Sequence, residues 1–465
     1  MPVAPYYRPR TMNTKTLLSL ALLLLPTPLL AQQNAANLKK ELRTKEAAAK
    51  KDPEALFETA KWAAAQALDA DAKRLFEKVL KISPDHKGAN EAMGNELVEG
   101  KWLPAKEAEK ARLAAQAAEF AAKGLVEVDG IWVKPDEVED AKRGVYHHEK
   151  ELVTRQEKVA FLQGMVRHPE TSLLIDAKFL EKAQSGYFPI GDDGRWVDLA
   201  EADKYHSELL RPWIVSYEYG HLVSSLPLKT LQELKVQADQ GHERVAPLFG
   251  GRAPLPAKRP VVIIAKSQGD YQSYGKELGD GTDAGGSFLM RREARFKMPM
   301  QGDVRAGICY NEKDFGTRYV RHAAALAYAN ALAEEQGVQL PLWFLHGVGS
   351  LASRFDNDSD AGWFGKQQLA RGGVGDLKAF FSSFAISADM EPQQISGNLF
   401  TAGLLLSFAM RTKDKNVLAA MTGVTDALAG KTKDADKAIE RLEKQLVGAR
   451  DAVLAHLQEL IAKAP

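Results

Sequence analysis

A single cysteine, Cys309, occurs in 465 residues. No internal disulfide can form, so packing alone must hold the fold even in an oxidising compartment. Neither sign of charge predominates, with 62 basic side chains against 61 acidic ones. That balance excludes the polycationic surface of a general nucleic-acid binder. The apolar run from Leu17 to Leu25 is too short to cross a bilayer comfortably. What is present is an ordinary globular composition, 45% hydrophobic and 26% charged. Such a length allows roughly two to four domains with well-buried cores.

The N-terminus has the layout of a secretory signal peptide. Met12-Asn13-Thr14-Lys15 gives a short basic start, the apolar run follows, and Pro26-Thr27-Pro28 ends it. Ala31 then offers a small residue for cleavage before Gln32. Residues 1–31 are therefore read as the signal peptide, with Met1 to Thr11 an upstream extension. The shortness of the run argues against an uncleaved anchor, and no cysteine follows the cleavage site to receive a lipid. The expectation is an exported protein, periplasmic or extracellular, nearly neutral in charge, with no integral membrane span after cleavage.

Residues 32–125 read as a helical region. Leu56, Ala60 and Ala63 lie on one stripe; Ala72, Leu75, Val79 and Ile82 lie on another, and Pro84 stops the second helix. The stretch ALFETAKWAAAQALDADAKRLFEKVLKISPDHKGANEAMG resembles one tetratricopeptide-like helix pair with the start of a third helix. A plain helical bundle is the alternative. Residues 126–210 form a connecting region marked by a recurring Gly-x-Trp-aliphatic pattern. Gly100-Lys101-Trp102-Leu103 stands just before this region, and Gly130-Ile131-Trp132-Val133 and Gly194-Arg195-Trp196-Val197 stand within it. Acidic, helix-forming sequence follows each copy. The pattern reads as a tight turn, a buried aromatic and a helix start, rather than as a carbohydrate platform.

From about residue 211 strands and helices alternate. Ile214 to Tyr217, Leu222-Val223, Arg259 to Ala265, Phe288 to Met290 and Ala306 to Tyr310 read as strands. Leu228 to Leu248 reads as an amphipathic helix, Tyr271 to Leu278 as a short one, and Gly279 to Gly286 as a loop. Asp314 to Glu335 is a long Ala-rich helix ended by Gly337, and the remainder is mainly helical. The fold class is α+β: an N-terminal all-α region, then a small sheet with a mostly helical C-terminal half.

The stretch TRYVRHAAALAYANALAEEQGVQLPLWFLHGVGSLASRF resembles the core of the peptidase MA-like domains, a gluzincin group of zinc metallopeptidases. The resemblance extends over roughly residues 211–465. In that family two histidines at i and i+4 of one helix face reach a single zinc ion. The glutamate beside the first acts as general base on the zinc-bound water. A carboxylate from the following helix completes the protein ligands. Here His322 falls on the first ligand position, Ala323 on the base, Leu326 on the second ligand and His346 on the third. Ala323 has no proton acceptor and Leu326 has no lone pair. Leu340-Pro341-Leu342-Trp343 and Gly347 keep the scaffold pattern.

The resemblance therefore implies a degenerate site: no catalytic residues, no zinc or other cofactor, and vestigial positions at His322, Ala323, Leu326 and His346. The implied function is a non-catalytic binding or scaffolding protein of the cell envelope or exterior, with a protein or peptide partner. The alternative is a divergent metal-dependent hydrolase that uses His322, His346 and a third donor from outside the motif.

Other patterns fail on chemistry. Asp356-Asn357-Asp358-Ser359-Asp360 begins like a calcium loop, but Ala361 and Gln367 replace the required Gly and Glu. Gly347-Val348-Gly349-Ser350 is no nucleophile elbow, because Ala352 takes the place of its second Gly. His147-His148-Glu149 is expected on a helix, which would splay its histidines apart. Gly279 to Gly286 lacks the Lys-Ser/Thr of a phosphate loop.

Overall fold

The computed structural model describes residues 28–464 apart from 192–193, 209, 250–253, 268, 272–294, 299–301, 312–315, 356, 387–389 and 433. Most of the expected signal peptide lies outside the described residues. So do the Gly279 to Gly286 loop, the Phe288 to Met290 strand, Asp356, and all but Tyr271 of the expected short helix. The described chain falls into two compact units, one within residues 9–138 and one within 139–465. The fold is α+β. Among the described residues no helix is long and apolar enough to cross a membrane.

The first unit opens with α1 (Pro28–Ala49), α2 (Pro53–Ala65), α3 (Asp69–Ile82) and α4 (Lys87–Ala92). Helix α1 runs through the expected cleavage point. Asp52 caps α2 by accepting a hydrogen bond from the Glu54 amide, and Pro53 fits the first turn, where its missing N–H costs nothing. Both expected stripes meet in one core with Leu42 and Phe76. Ile82 is the exception. It is 41% exposed, because α3 ends there and the stripe has no further neighbour to cover it.

Beyond α4 the chain builds short antiparallel hairpins, each leading into a helix. In the first unit they are β1 (Asn95–Val98) with β2 (Lys101–Pro104) and α5 (Ala105–Ala122), then β3 (Val126–Val128) with β4 (Ile131–Val133); the helix that follows, α6 (Val138–Lys142), begins at the boundary between the units. The second unit holds β5 (Val145–His148) with β6 (Glu151–Thr154) and α7 (Arg155–Leu162). It continues with β7 (Met165–Arg167), β8 (Leu174–Asp176) and α8 (Leu180–Gln184), then β9 (Tyr187–Ile190), β10 (Arg195–Asp198) and α9 (Leu199–Tyr205). The span expected to be helical to residue 125 is thus interrupted by the first hairpin.

The same devices recur in each copy. Gly94, Gly124, Gly144, Gly164 and Gly186 precede the five hairpins with φ between +74° and +84°, the left-handed conformation that ends a helix without a Cβ penalty. Glu99-Gly100 and Asp129-Gly130 have positive φ at both central turn positions, as a two-residue hairpin requires. In the second strand an aliphatic residue points inward: Val133, Val153, Ile175 and Val197 are buried and Leu103 is half-buried. Each following helix buries one alanine, namely Ala108, Ala141, Ala160, Ala183 and Ala202.

The three Gly-x-Trp copies are thus members of a set of five described hairpin–helix units. In the other two, Leu152 and Leu174 take the place of Trp. The tryptophans are half-buried, and two of them rest on an aromatic ring from the preceding unit's helix region. Trp132 lies 5.5 Å from Phe120, and Trp196 lies 5.2 Å from Phe179. His147 and His148 sit on strand β5, so the helical placement expected for them is corrected. His147 bonds Asp140 at 3.3 Å and His148 stacks on Phe161. Residues 145–154 pair as antiparallel strands, with Tyr146 and Val153 directly opposite each other and both buried.

The second unit is centred on a five-stranded sheet of order β11 (Trp213–Tyr217), β12 (Gly220–Ser224), β13 (Val261–Ala265), β15 (Gly302–Tyr310) and β14 (Arg295–Met298). The β12–β13 and β13–β15 pairs are parallel; the outer pairs are antiparallel. Strand β13 reads as an unbroken aliphatic run because both its faces are covered. Val262 and Ile264 pack with α10 (Leu228–Val245) and α11 (Gly316–Glu335), whereas Val261 and Ile263 pack into a cluster on the other face.

Helix α11 approaches β15 closely at Gly307. A Cβ there would stand 3.0 Å from the Ala323 carbonyl oxygen and 3.3 Å from the Ala327 methyl. Gly337, at φ +67°, follows the end of α11 as expected. The rest is helical: α12 (Leu342–Arg354), α13 (Asp358–Ala370), α14 (Leu377–Ser383), α15 (Pro392–Arg411), α16 (Lys415–Leu428), α17 (Ala435–Gly448) and α18 (Arg450–Ala462). Their apolar faces form the largest core cluster.

Within this unit the hairpin–helix segments are tied to the sheet by buried polar contacts. Arg259, 3% exposed, donates to the Tyr217 and Glu218 carbonyl oxygens at 2.6 Å and pairs with Glu157 at 3.0 Å. Glu157 also caps α7 by accepting from the Thr154 amide. The Ser216 amide donates to the Thr171 carbonyl, and Asp203 accepts from both Trp213 Nε1 and the Leu228 amide.

Candidate functional site

Helices α11 and α12 pack side by side and bring two of the four motif positions into contact. His322 Nε2 lies 3.2 Å from His346 Nδ1, and His322 Nδ1 lies 3.3 Å from Ser353 Oγ. Both rings are buried, His322 completely and His346 to 1% exposure. Ser353 donates its hydroxyl proton to the Gly349 carbonyl at 2.8 Å. A hydroxyl has one proton, so Ser353 Oγ must accept from His322 Nδ1–H. His322 Nε2 is then the acceptor of the pair, and His346 Nδ1–H is the donor. The proton order runs from His346 to His322 to Ser353 to the Gly349 oxygen.

That order needs His322 neutral, because its Nε2 must accept, and the surroundings keep both imidazoles uncharged. Burial, followed by the neighbouring His346 and Arg354, holds His322 well below the usual histidine range. Burial, followed by Arg354, brings His346 down to about 3. Arg354 itself is lowered to about 10 by burial.

The other two positions face hydrocarbon. Ala323 is fully buried in the cluster between sheet and helices, where the approach of Gly307 leaves its helix no spare depth. Leu326 is 1% exposed and belongs to the helical core. Among the described residues no group of three His, Cys, Asp or Glu side chains gathers to hold a metal ion. His322 and His346 bring two nitrogen donors together at these positions, whereas a catalytic zinc ion takes three protein ligands and a nearby base.

Sequence reasoning missed Gly349 and Ser353. A Cβ on Gly349 would stand 2.5 Å from His322 Nε2, so only glycine lets the ring lie on the α12 backbone. The signal was present: His346, Gly349 and Ser353 share one face of a helix. Ser350, next to Gly349, is buried inside α12 with no exposed turn around it. In the loop once compared with a calcium site, Asn357 caps α13 through the Asp360 amide and Asp360 pairs with Arg318 at 2.6 Å.

No family model matches the chain, and no curated protein matches it.

Proposed function

We propose that this protein is an exported, non-catalytic binding or scaffolding protein built on a peptidase-like domain, with a protein or peptide as its partner. The observation that supports this reading is the contact between His322 and His346. The two positions that the resemblance assigns to metal ligation are hydrogen-bonded to each other, inside a core with no base at Ala323 and no donor at Leu326. Peptide hydrolysis needs an activated water and a proton acceptor beside it. Neither has a residue to support it at these positions.

The same contact frames the alternative, a divergent metal-dependent hydrolase using His322 and His346. Two nitrogens bound to one tetrahedral zinc ion stand about 3.3 Å apart, close to the 3.2 Å between His322 Nε2 and His346 Nδ1. Elemental analysis separates the readings. The full chain, equilibrated with zinc and desalted, is expected to retain far less than one zinc per molecule. One tightly held zinc, absent from His322→Ala, would replace the binding-protein reading with the enzymatic one.

A further inference from the structure

Helix α13 turns one row of side chains outward: Trp363, Gln367 and, one residue past its end, Arg371, at i, i+4 and i+8. The opposite face carries Gly362 and Gly365, against which α18 packs directly through Leu460 and Leu457. The outward row is thereby held rigidly. Between it and the first turns of α15 runs an open groove of about 190 Å³. Its floor is aromatic: Phe364 and Phe400 stand 6.4 Å apart, and Phe355 stacks on Phe400 from behind. Its rim is polar, made by Gln367, Arg371 and Ser396, and among the described residues no carboxylate lines it. Trp363 is 57% exposed at the mouth, against a background of tryptophans that are otherwise at least half-buried.

We propose that this groove binds an acidic saccharide, with a sugar ring stacked on the Trp363 indole and its carboxylate paired with Arg371. The electron-rich indole face attracts the positively polarised C–H edge of a sugar ring. Sugar hydroxyls both donate and accept, which matches the amide of Gln367 and the hydroxyl of Ser396. A guanidinium suits a carboxylate through its fork of donors. Arg371 anchors one arm on the Gln393 carbonyl at 3.3 Å, which orients the fork at the end of the groove. An apolar helix laid in the groove would leave these polar groups unpaired, and a cationic partner would meet Arg371. The volume is smaller than the range of about 300–1,000 Å³ typical of larger organic ligands, and it suits one ring of a chain that continues into solvent. The proposal makes no use of His322 or His346 and stands separately from the reading above.

Isothermal titration of the full chain with tetragalacturonic acid, and with cellotetraose as neutral control, tests it. Saturable binding of the acidic tetramer is expected, weakened at least tenfold in Trp363→Ala. Arg371→Gln is expected to reduce that affinity to the level of cellotetraose. Trp363 is exposed, so unchanged melting curves will show that both variants fold. Absence of saturable binding, equal binding of the two tetramers, or binding unaffected by Trp363→Ala would overturn the proposal. So would self-association in sedimentation that Trp363→Ala abolishes, without any sugar binding.

Discussion

The imidazole of His322 lies on the bare backbone of Gly349, so close that a Cβ on residue 349 would come within 2.5 Å of the ring. One contact thus fixes the approach of α11 to α12. It also places Ser353, one turn further on, where its oxygen accepts the hydrogen bond of His322 Nδ1–H.

Gly349→Ala is expected to push the ring out of this arrangement. The cost of such overpacking is about 1–3 kcal/mol. Ser353→Ala leaves the His322 Nδ1–H without its acceptor in a buried site, which costs a comparable about 1–3 kcal/mol. Urea denaturation of the two variants measures both losses. A midpoint unchanged in Gly349→Ala would contradict the contact.

Acid is expected to destabilise the protein through its neutral buried histidines. His346 falls from the ordinary 6.5 to about 3 in the folded chain, and His221 and His242 are lowered to about 3 by the same cause, burial. A lowered folded-state value means that the unfolded chain binds the extra proton first. The stability each ring contributes is fully present above pH 6.5 and is lost as pH falls toward 3. At pH 5 the loss is about 2 kcal/mol for each such ring. Melting temperatures measured from pH 7 to pH 4.5 should fall steadily, and a flat profile would refute the assignment.

Breaking the Arg259–Glu157 pair from either side should be costly. Removing one partner of a buried ion pair leaves an uncompensated charge and costs about 3–5 kcal/mol. Glu157→Ala also removes the α7 cap. Both Glu157→Ala and Arg259→Ala are expected to melt well below the parent and to become sensitive to proteolysis between residues 145 and 205. Equal resistance in parent and variants would show that the pair does not hold the hairpins to the sheet.

How much of this was legible in the sequence depends on the residue. The run from Val261 to Ala265 announces a strand covered on both faces, and the alanines from Ala323 to Ala333 announce a helix that packs tightly. The meeting of His322 and His346 was implied by resemblance, since residues on separate helices carry no sign of their contact. Of the repeated hairpins only the turn and the following helix were legible, at Trp102, Trp132 and Trp196, and the strand pairing itself was not. Leu152 and Leu174 fill the same place with a different shape, and the features that persist are a left-handed glycine, an inward aliphatic residue and a buried alanine. The strand placement of His147 and His148 had no periodic signal, because burial falls on adjacent residues, Val145 with Tyr146 and Val153 with Thr154, rather than on every second one.

The Arg259 clasp has a consequence for where the chain can be divided. A fragment begun at residue 211 would keep the guanidinium inside but lose Glu157 and the Leu152 carbonyl that face it. The strand turn at Tyr217 and Glu218 would then present its carbonyl oxygens to the guanidinium without the Glu157 carboxylate. Such a piece would enter folding with an electrostatic defect at its centre. A severable boundary lies nearer residue 139, so the later hairpins travel with the sheet whenever the chain is trimmed, swapped or fused.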